Sequence, residues 1–253
     1  MRFLRTVCKG GLLSAHLAIG AAAAAWSRGG LDERFTRGWC RIACAILSLR
    51  VRRIGTPTPG PALYAANHVS WLEIIALGSV TPLGFVAKDD VERWPLIGTL
   101  AAAAGTLFLR RGSARDAARV VACATLRLAE GRSVAVFPEG TSTTGETVLA
   151  FKASLFEAPS RLGCDVQPVS VSYPRADGQS AVAPFVGADE FLPHLLRVLA
   201  EPGLTVELTY APALSGHGRT REELAHAARA AVLAGLSGHE SMVGDLATAR
   251  ATA

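Results

Sequence analysis

The sequence predicts an α/β fold: a largely parallel central sheet flanked by helices, with an N-terminal membrane-associated helical hairpin. Three observations carry that reading. Beyond residue 61, short apolar runs alternate with stretches of helical periodicity, the pattern of a sheet built through crossover helices. Several of those runs end in polar turns, and open α/β sheets gather their functional groups beyond the strand ends. The first 53 positions differ, because ten basic residues there are mixed with long apolar stretches. Basic charge among apolar runs with few aromatics suits lipid headgroups better than stacked bases, so membrane lipids are expected as partners and nucleic acid is not.

The 253 residues, half of them hydrophobic, suffice for one large domain with an appendage. Residues 11–26, GLLSAHLAIGAAAAAW, form an apolar helix of about 24 Å, short of the ~30 Å hydrocarbon core. It reads as one arm of a hairpin lying in a single leaflet, as a single-span anchor, or as a cleaved signal segment. Residues 31–49 place Phe35, Trp39, Ile42, Ile46 and Leu49 at intervals of three or four, with Arg34, Arg37 and Arg41 on other faces. That is a basic amphipathic helix, suited to a membrane surface or to ordinary packing on the domain. TPTPGP at 56–61 is rich in breakers and marks a boundary between an anchor, 1–55, and a catalytic domain, 56–236. Residues 237–253 are small, polar and weakly patterned, and are expected to be loosely ordered. The five cysteines include no Cys-x-x-Cys pair, which points to a reducing compartment; Cys40 and Cys44 sit at helical spacing and are expected to pack.

Within the domain, strands are expected at 62–66, 83–87, 106–109, 133–137, 166–172 and 205–210, and helices near 71–79, 95–104, 114–129, 189–199 and 220–236. The first strand runs into NHVSWLE, residues 67–73, which sets His68 at a strand end and Glu73 five positions later. If a helix begins near 71, Glu73 can reach back to the imidazole, and an imidazole oriented by a carboxylate is general-base equipment. A second reading stays open: Ser70 and Glu73 also form a capping box, which would make Glu73 structural. A later strand ends in VAVFPEGT, so Glu139 would project from the same edge as His68 if the two strands are parallel. Between them GTLFLRR ends in Arg110 and Arg111, a planar, permanently charged pair suited to phosphate or carboxylate, or else a solvated pair. The sequence has no Gly-x-Ser-x-Gly elbow, no phosphate-binding glycine loop and no His-Glu-x-x-His, and its other histidines lack metal-like grouping.

The order and spacing of these blocks resemble the glycerolipid acyltransferase family. NHVSWLE is similar to its Asn-His-x-Ser-x-x-Asp block, GTLFLRR to Gly-x-x-Phe-x-x-Arg, FPEGT to its third block unaltered, and VQPVSV at 166–171 to a fourth. The resemblance implies that His68, oriented by Glu73, acts as the base, and that Arg111, Glu139, Gly140 and Thr141 bind the acceptor's polar head. It also implies a membrane-associated enzyme moving a fatty acyl group from acyl-coenzyme A or acyl carrier protein, as co-substrate, to a lysophospholipid hydroxyl. No metal and no further cofactor are expected. The acceptor implied first is 1-acyl-sn-glycerol-3-phosphate, at the cytoplasmic face of the inner membrane. Two departures stand out: Glu73 replaces the family's aspartate, and Ser142 stands where arginine is common, with Lys152 available to compensate. The stretch FPEGTSTTGETVLAFKASLF also resembles acyltransferases that complete ornithine lipids, so a lyso-ornithine acceptor is the alternative; a non-catalytic membrane-binding module is another.

Overall fold

The computed structural model describes residues 1–27, 30–109, 114–175 and 178–251. Two helices come first, α1 (Arg2–Trp26) and α2 (Glu33–Leu47), followed by β1 (Leu49–Ile54) and β2 (Ala62–Ala66). The chain then alternates through α3 (Leu72–Val80), β3 (Gly84–Lys88), α4 (Asp89–Glu92), α5 (Ile97–Ala103), β4 (Leu107–Leu109), α6 (Ala114–Ala129) and β5 (Val134–Val136). A 3-10 turn (Ala153–Phe156) leads to α7 (Glu157–Leu162), β6 (Asp165–Ser172), the short pair β7 (Pro174–Arg175) and β8 (Gly178–Gln179), α8 (Phe191–Ala200), β9 (Leu204–Tyr210) and α9 (Arg221–Ala251).

The main sheet has seven strands in the order β1-β9-β6-β2-β5-β3-β4, and every pairing is parallel except β6 with β9. The six strands expected from the apolar runs are all present within a residue or two of their expected bounds. Strand β2 is buried throughout because it is covered on both faces. Its alternate side chains serve two layers: Tyr64 packs with residues of α1–α3 and α8, and Leu63 and Ala65 pack with α6, α7 and α9.

Two expectations need correction. Residues 49–54 belong to the sheet and not to an anchor: β1 pairs in parallel with β9, so the breaker-rich stretch at 56–61 joins two strands of one sheet. Its Arg50, Arg52 and Arg53 are exposed, as charged residues on an edge strand are. Helix α1 begins at Arg2 and not near residue 11, giving 25 residues and about 37 Å, enough by length and apolar composition to cross a membrane. The last helix, expected over 220–236, spans Arg221–Ala251.

Several N-terminal basic groups face inward. Lys9 Nζ donates to the carbonyls of Leu47 (3.3 Å) and Glu201 (2.8 Å), at the C-terminal ends of α2 and α8, and Arg5 donates to Ala200 O at 2.9 Å. A cation at orphaned helix carbonyls satisfies both their hydrogen bonding and the helix dipole. His16 stacks on Trp39 at 4.5 Å and hydrogen-bonds its carbonyl at 3.1 Å. The polar side of α1 is therefore turned into the domain, and its outward side carries Phe3, Leu4, Val7, Leu12, Ile19 and Trp26. An outward apolar stripe of this length suggests membrane association. Cys40 and Cys44 pack in the core as expected, and burial pushes their thiols up to about 12 and about 11.

Candidate active site

Parallel pairing brings the two polar turns to one sheet edge. Strands β2 and β5 align Ala65 with Val136, so three residues further on His68 stands opposite Glu139. Glu139 Oε1 accepts from the His68 amide at 2.8 Å and Oε2 from the Leu149 amide at 2.7 Å. Burial pushes the Glu139 carboxyl up, opposed by those two amides. The other backbone groups of the loop are tied as well: His68 O accepts from Thr143 N at 2.8 Å, and Val69 O from Phe185 N at 2.9 Å. Asn67 binds across to β6 through both ends of its amide, Nδ2 to Val171 O at 2.9 Å and Oδ1 from Val171 N at 2.7 Å. A polar pair at the end of a buried strand thus has its partners.

Glu73, in the first turn of α3, is fully buried. Its Oε1 lies 2.7 Å from His68 Nδ1 and accepts from the amides of Val69 (2.7 Å) and Ser70 (2.7 Å). Its Oε2 accepts from Ser70 N at 2.8 Å and from the Tyr173 hydroxyl at 2.7 Å. The two readings of this carboxylate are therefore compatible. It reaches back to the Ser70 amide as a capping-box acid does, and it holds the imidazole in the same conformation. The other half of the box is missing: α3 starts at Leu72, and the Ser70 hydroxyl is buried with no hydrogen-bond partner among the described residues.

The imidazole stacks on Phe137 at 4.2 Å and its side chain keeps 21% of its surface exposed. With Nδ1–H donated to Glu73, the lone pair resides on Nε2. What the arrangement offers is one oriented basic nitrogen at a partly open surface.

Around it, Gly140 has φ +72°, which favours glycine, and the Lys152 ammonium lies over the space a Cβ would take. Lys152 is exposed, its amide bonded to Pro138 O at 3.0 Å, which folds its chain over the Glu139–Gly140 turn. Thr141 is exposed beside them. Ser142, at the position where arginine was noted as common, donates its hydroxyl to Phe185 O and so ties two loops together. Arg110 and Arg111 lie outside the described residues. The structure thus brings His68, Glu73, Glu139, Gly140, Thr141 and Lys152 to one edge. Sequence reasoning missed Tyr173, whose one signal is its position directly after β6; burial and the neighbouring Glu73 raise its phenol well above the ordinary value.

Trp71 extends the block toward α8, donating Nε1–H to His194 Nδ1 at 3.1 Å, while His194 Nε2 bonds to Pro184 O at 3.0 Å. His194 is fully buried, and desolvation lowers its pKa from 6.5. The unfolded chain then takes up this proton first as pH falls, so the contribution is intact above about 6.5 and declines below it. Urea midpoints between neutral and mildly acid pH are expected to fall less steeply for His194→Gln than for the natural chain.

Comparison with known proteins shows which family the chain resembles. A family model described as acyltransferase matches residues 50–172. A lyso-ornithine lipid O-acyltransferase of Pseudomonas aeruginosa is 39% identical over 248 residues, covering 94% of this chain and 96% of its own. The chain belongs to the glycerolipid acyltransferase family. As an acyltransferase it is similar also to a 1-acyl-sn-glycerol-3-phosphate acyltransferase of Neisseria gonorrhoeae, 35% identical over 170 residues, 67% of this chain and 66% of that one. The crystal structure of the 1-acyl-sn-glycerophosphate acyltransferase of Thermotoga maritima shares the fold, with a TM-score of 0.69 at 21% identity over 95% of this chain and 98% of that one. The reading as a non-catalytic module gives way to an enzyme.

Proposed function

We propose that this acyltransferase moves a fatty acyl group from an acyl thioester to the free hydroxyl of a lyso-ornithine lipid. The observation that carries the acceptor is similarity along 94% of the chain to a protein of that name, and Ser142 in place of an arginine agrees with it. The order of the two acceptors anticipated from the sequence blocks is thereby reversed. The 1-acyl-sn-glycerol-3-phosphate reading remains as the second, supported by the Neisseria relative.

In the proposed mechanism His68 Nε2 takes the hydroxyl proton as the oxygen attacks the thioester carbon. The C–O bond forms, the tetrahedral intermediate collapses, the C–S bond breaks, and the imidazolium returns its proton to the departing sulfur. Glu73 fixes the tautomer and stabilises the imidazolium, and Glu139 fixes the His68 backbone. Arg111, Gly140, Thr141 and Lys152 take the polar head. The donor is acyl-coenzyme A or acyl carrier protein, and the enzyme works at the cytoplasmic face of the inner membrane, where those thioesters are made.

The test is an acceptor panel with the full chain: lyso-ornithine lipid, 1-acyl-sn-glycerol-3-phosphate and a lyso-phosphatidylethanolamine, each with both thioesters. Lyso-ornithine lipid is expected to show the highest kcat/KM, and preference for the glycerophosphate would overturn the assignment. Lys152→Ala is expected to raise the acceptor KM by about tenfold with kcat little changed, the loss of one hydrogen bond to a charged group; an unchanged KM removes Lys152 from the headgroup site.

A further inference from the structure

We infer that α8 is a second lipid-contact element, whose outer face continues the apolar surface of α1 and whose inner face holds the catalytic block. Leu192 and Leu196 are one helical turn apart and point outward, 62% and 47% exposed. They are not isolated surface leucines. Helix α8 is bonded to α1 at its C-terminal end through Arg5 to Ala200 O and Lys9 to Glu201 O. It is joined to the turn before α5 by Trp94, whose ring stands 4.5 Å from that of Phe191. That turn exposes Leu96, held at φ +64° although it is not glycine. Helix α5 in turn packs on α1. Three neighbouring elements therefore present large apolar side chains outward: Leu192 and Leu196, Leu96, and Phe3, Leu4 and Val7.

The chemistry of the patch selects a bilayer as its occupant. Residues 2–26 contain no acidic group, Arg2 is exposed at the start of α1, and the outward stripe runs the length of a 25-residue helix. Apolar side chains beside a basic end suit an interface of acyl chains and anionic headgroups. The inner face of α8 explains why the contact sits there. His194 accepts from Trp71, Phe191 stands 5.4 Å from the Trp71 ring, and the preceding loop is pinned to Val69 through Phe185. The helix carrying the outward leucines is thus tied, through Trp71 and Val69, to the same block that carries His68. The inference does not depend on which acceptor the enzyme prefers.

The experiment uses the full chain and vesicles of phosphatidylethanolamine and phosphatidylglycerol. Leu192→Asp/Leu196→Asp is compared with Leu162→Asp, a 41% exposed leucine at the end of α7 on the other side of the sheet. Co-sedimentation is expected to fall at least tenfold for the α8 pair and not for Leu162→Asp. Turnover of vesicle-borne acceptor is expected to fall in step, with detergent-dispersed acceptor still processed at the natural rate. Should the aspartates unfold α8, the Leu192→Ala/Leu196→Ala pair leaves its buried face intact and is expected to lower binding several-fold. Unchanged binding in both pairs overturns the proposal. So does a change of elution mass with binding intact, which would assign the face to a second copy, or lost use of acyl carrier protein alone, which would assign it to the donor.

Discussion

His68→Ala is expected to lower kcat for acyl transfer by roughly 10²- to 10⁴-fold, the usual contribution of a positioned general base. Thermal stability should barely change. The ring is partly exposed, it contributes one of four donor groups to Glu73, and the backbone amide that Glu139 holds survives the substitution. Single-turnover kinetics with saturating thioester, read beside a melting curve, separates the two effects. A variant that folds normally and retains more than about a tenth of the natural rate would remove the imidazole from the base role.

Glu73 is expected to behave differently, because one side chain there serves both fold and reaction. In Glu73→Gln either orientation of the amide turns an NH₂ group toward donors, since both carboxylate oxygens already accept. Leaving buried donors unpaired, with the hydrogen bond from His68 disturbed, is expected to cost about 1–3 kcal/mol of stability for each donor left without an acceptor. Activity should fall by about as much as for His68→Ala, because the imidazole loses the group that fixes its tautomer. Glu73→Asp restores the charge but shortens the arm by one methylene, and is expected to recover part of the stability and less of the rate. Urea denaturation with acyl-transfer assays on all three proteins checks this. A stable Glu73→Gln enzyme with an unaltered rate would show that the carboxylate neither caps nor orients.

These two residues illustrate how far local pattern carries. Asn67, His68 and Glu73 lie within seven positions, so a strand end followed by a helix start suffices to predict that carboxylate and imidazole meet. Reading one chain position at a time presents capping and orienting as rivals, because a side chain is imagined with a single partner. The fold shows otherwise: a carboxylate has room for several donors, and Glu73 receives them from 68, 69, 70 and, a hundred residues away, Tyr173. Glu139 shows the opposite limit. Its place at the edge was legible from a strand ending in Pro-Glu-Gly, yet both its oxygens bind backbone amides, of His68 and Leu149, which only the loop path reveals. Lys152 over Gly140 and Ser142 against Phe185 are likewise products of chain path.

Periodicity and turn chemistry alone were enough for six of the seven strands of the main sheet, the long helices, the parallel sheet and the pairing of imidazole with carboxylate, because each depends on neighbours within about ten positions. Tertiary structure decided that β1 completes the sheet beside β9, that α1 turns Lys9 and His16 inward and its apolar stripe outward, and that Tyr173 closes the donor set around Glu73. The physical reason is common to all three: burial and hydrogen-bond partners are set by crossovers that bring together residues up to about 190 positions apart, and no local repeat encodes them.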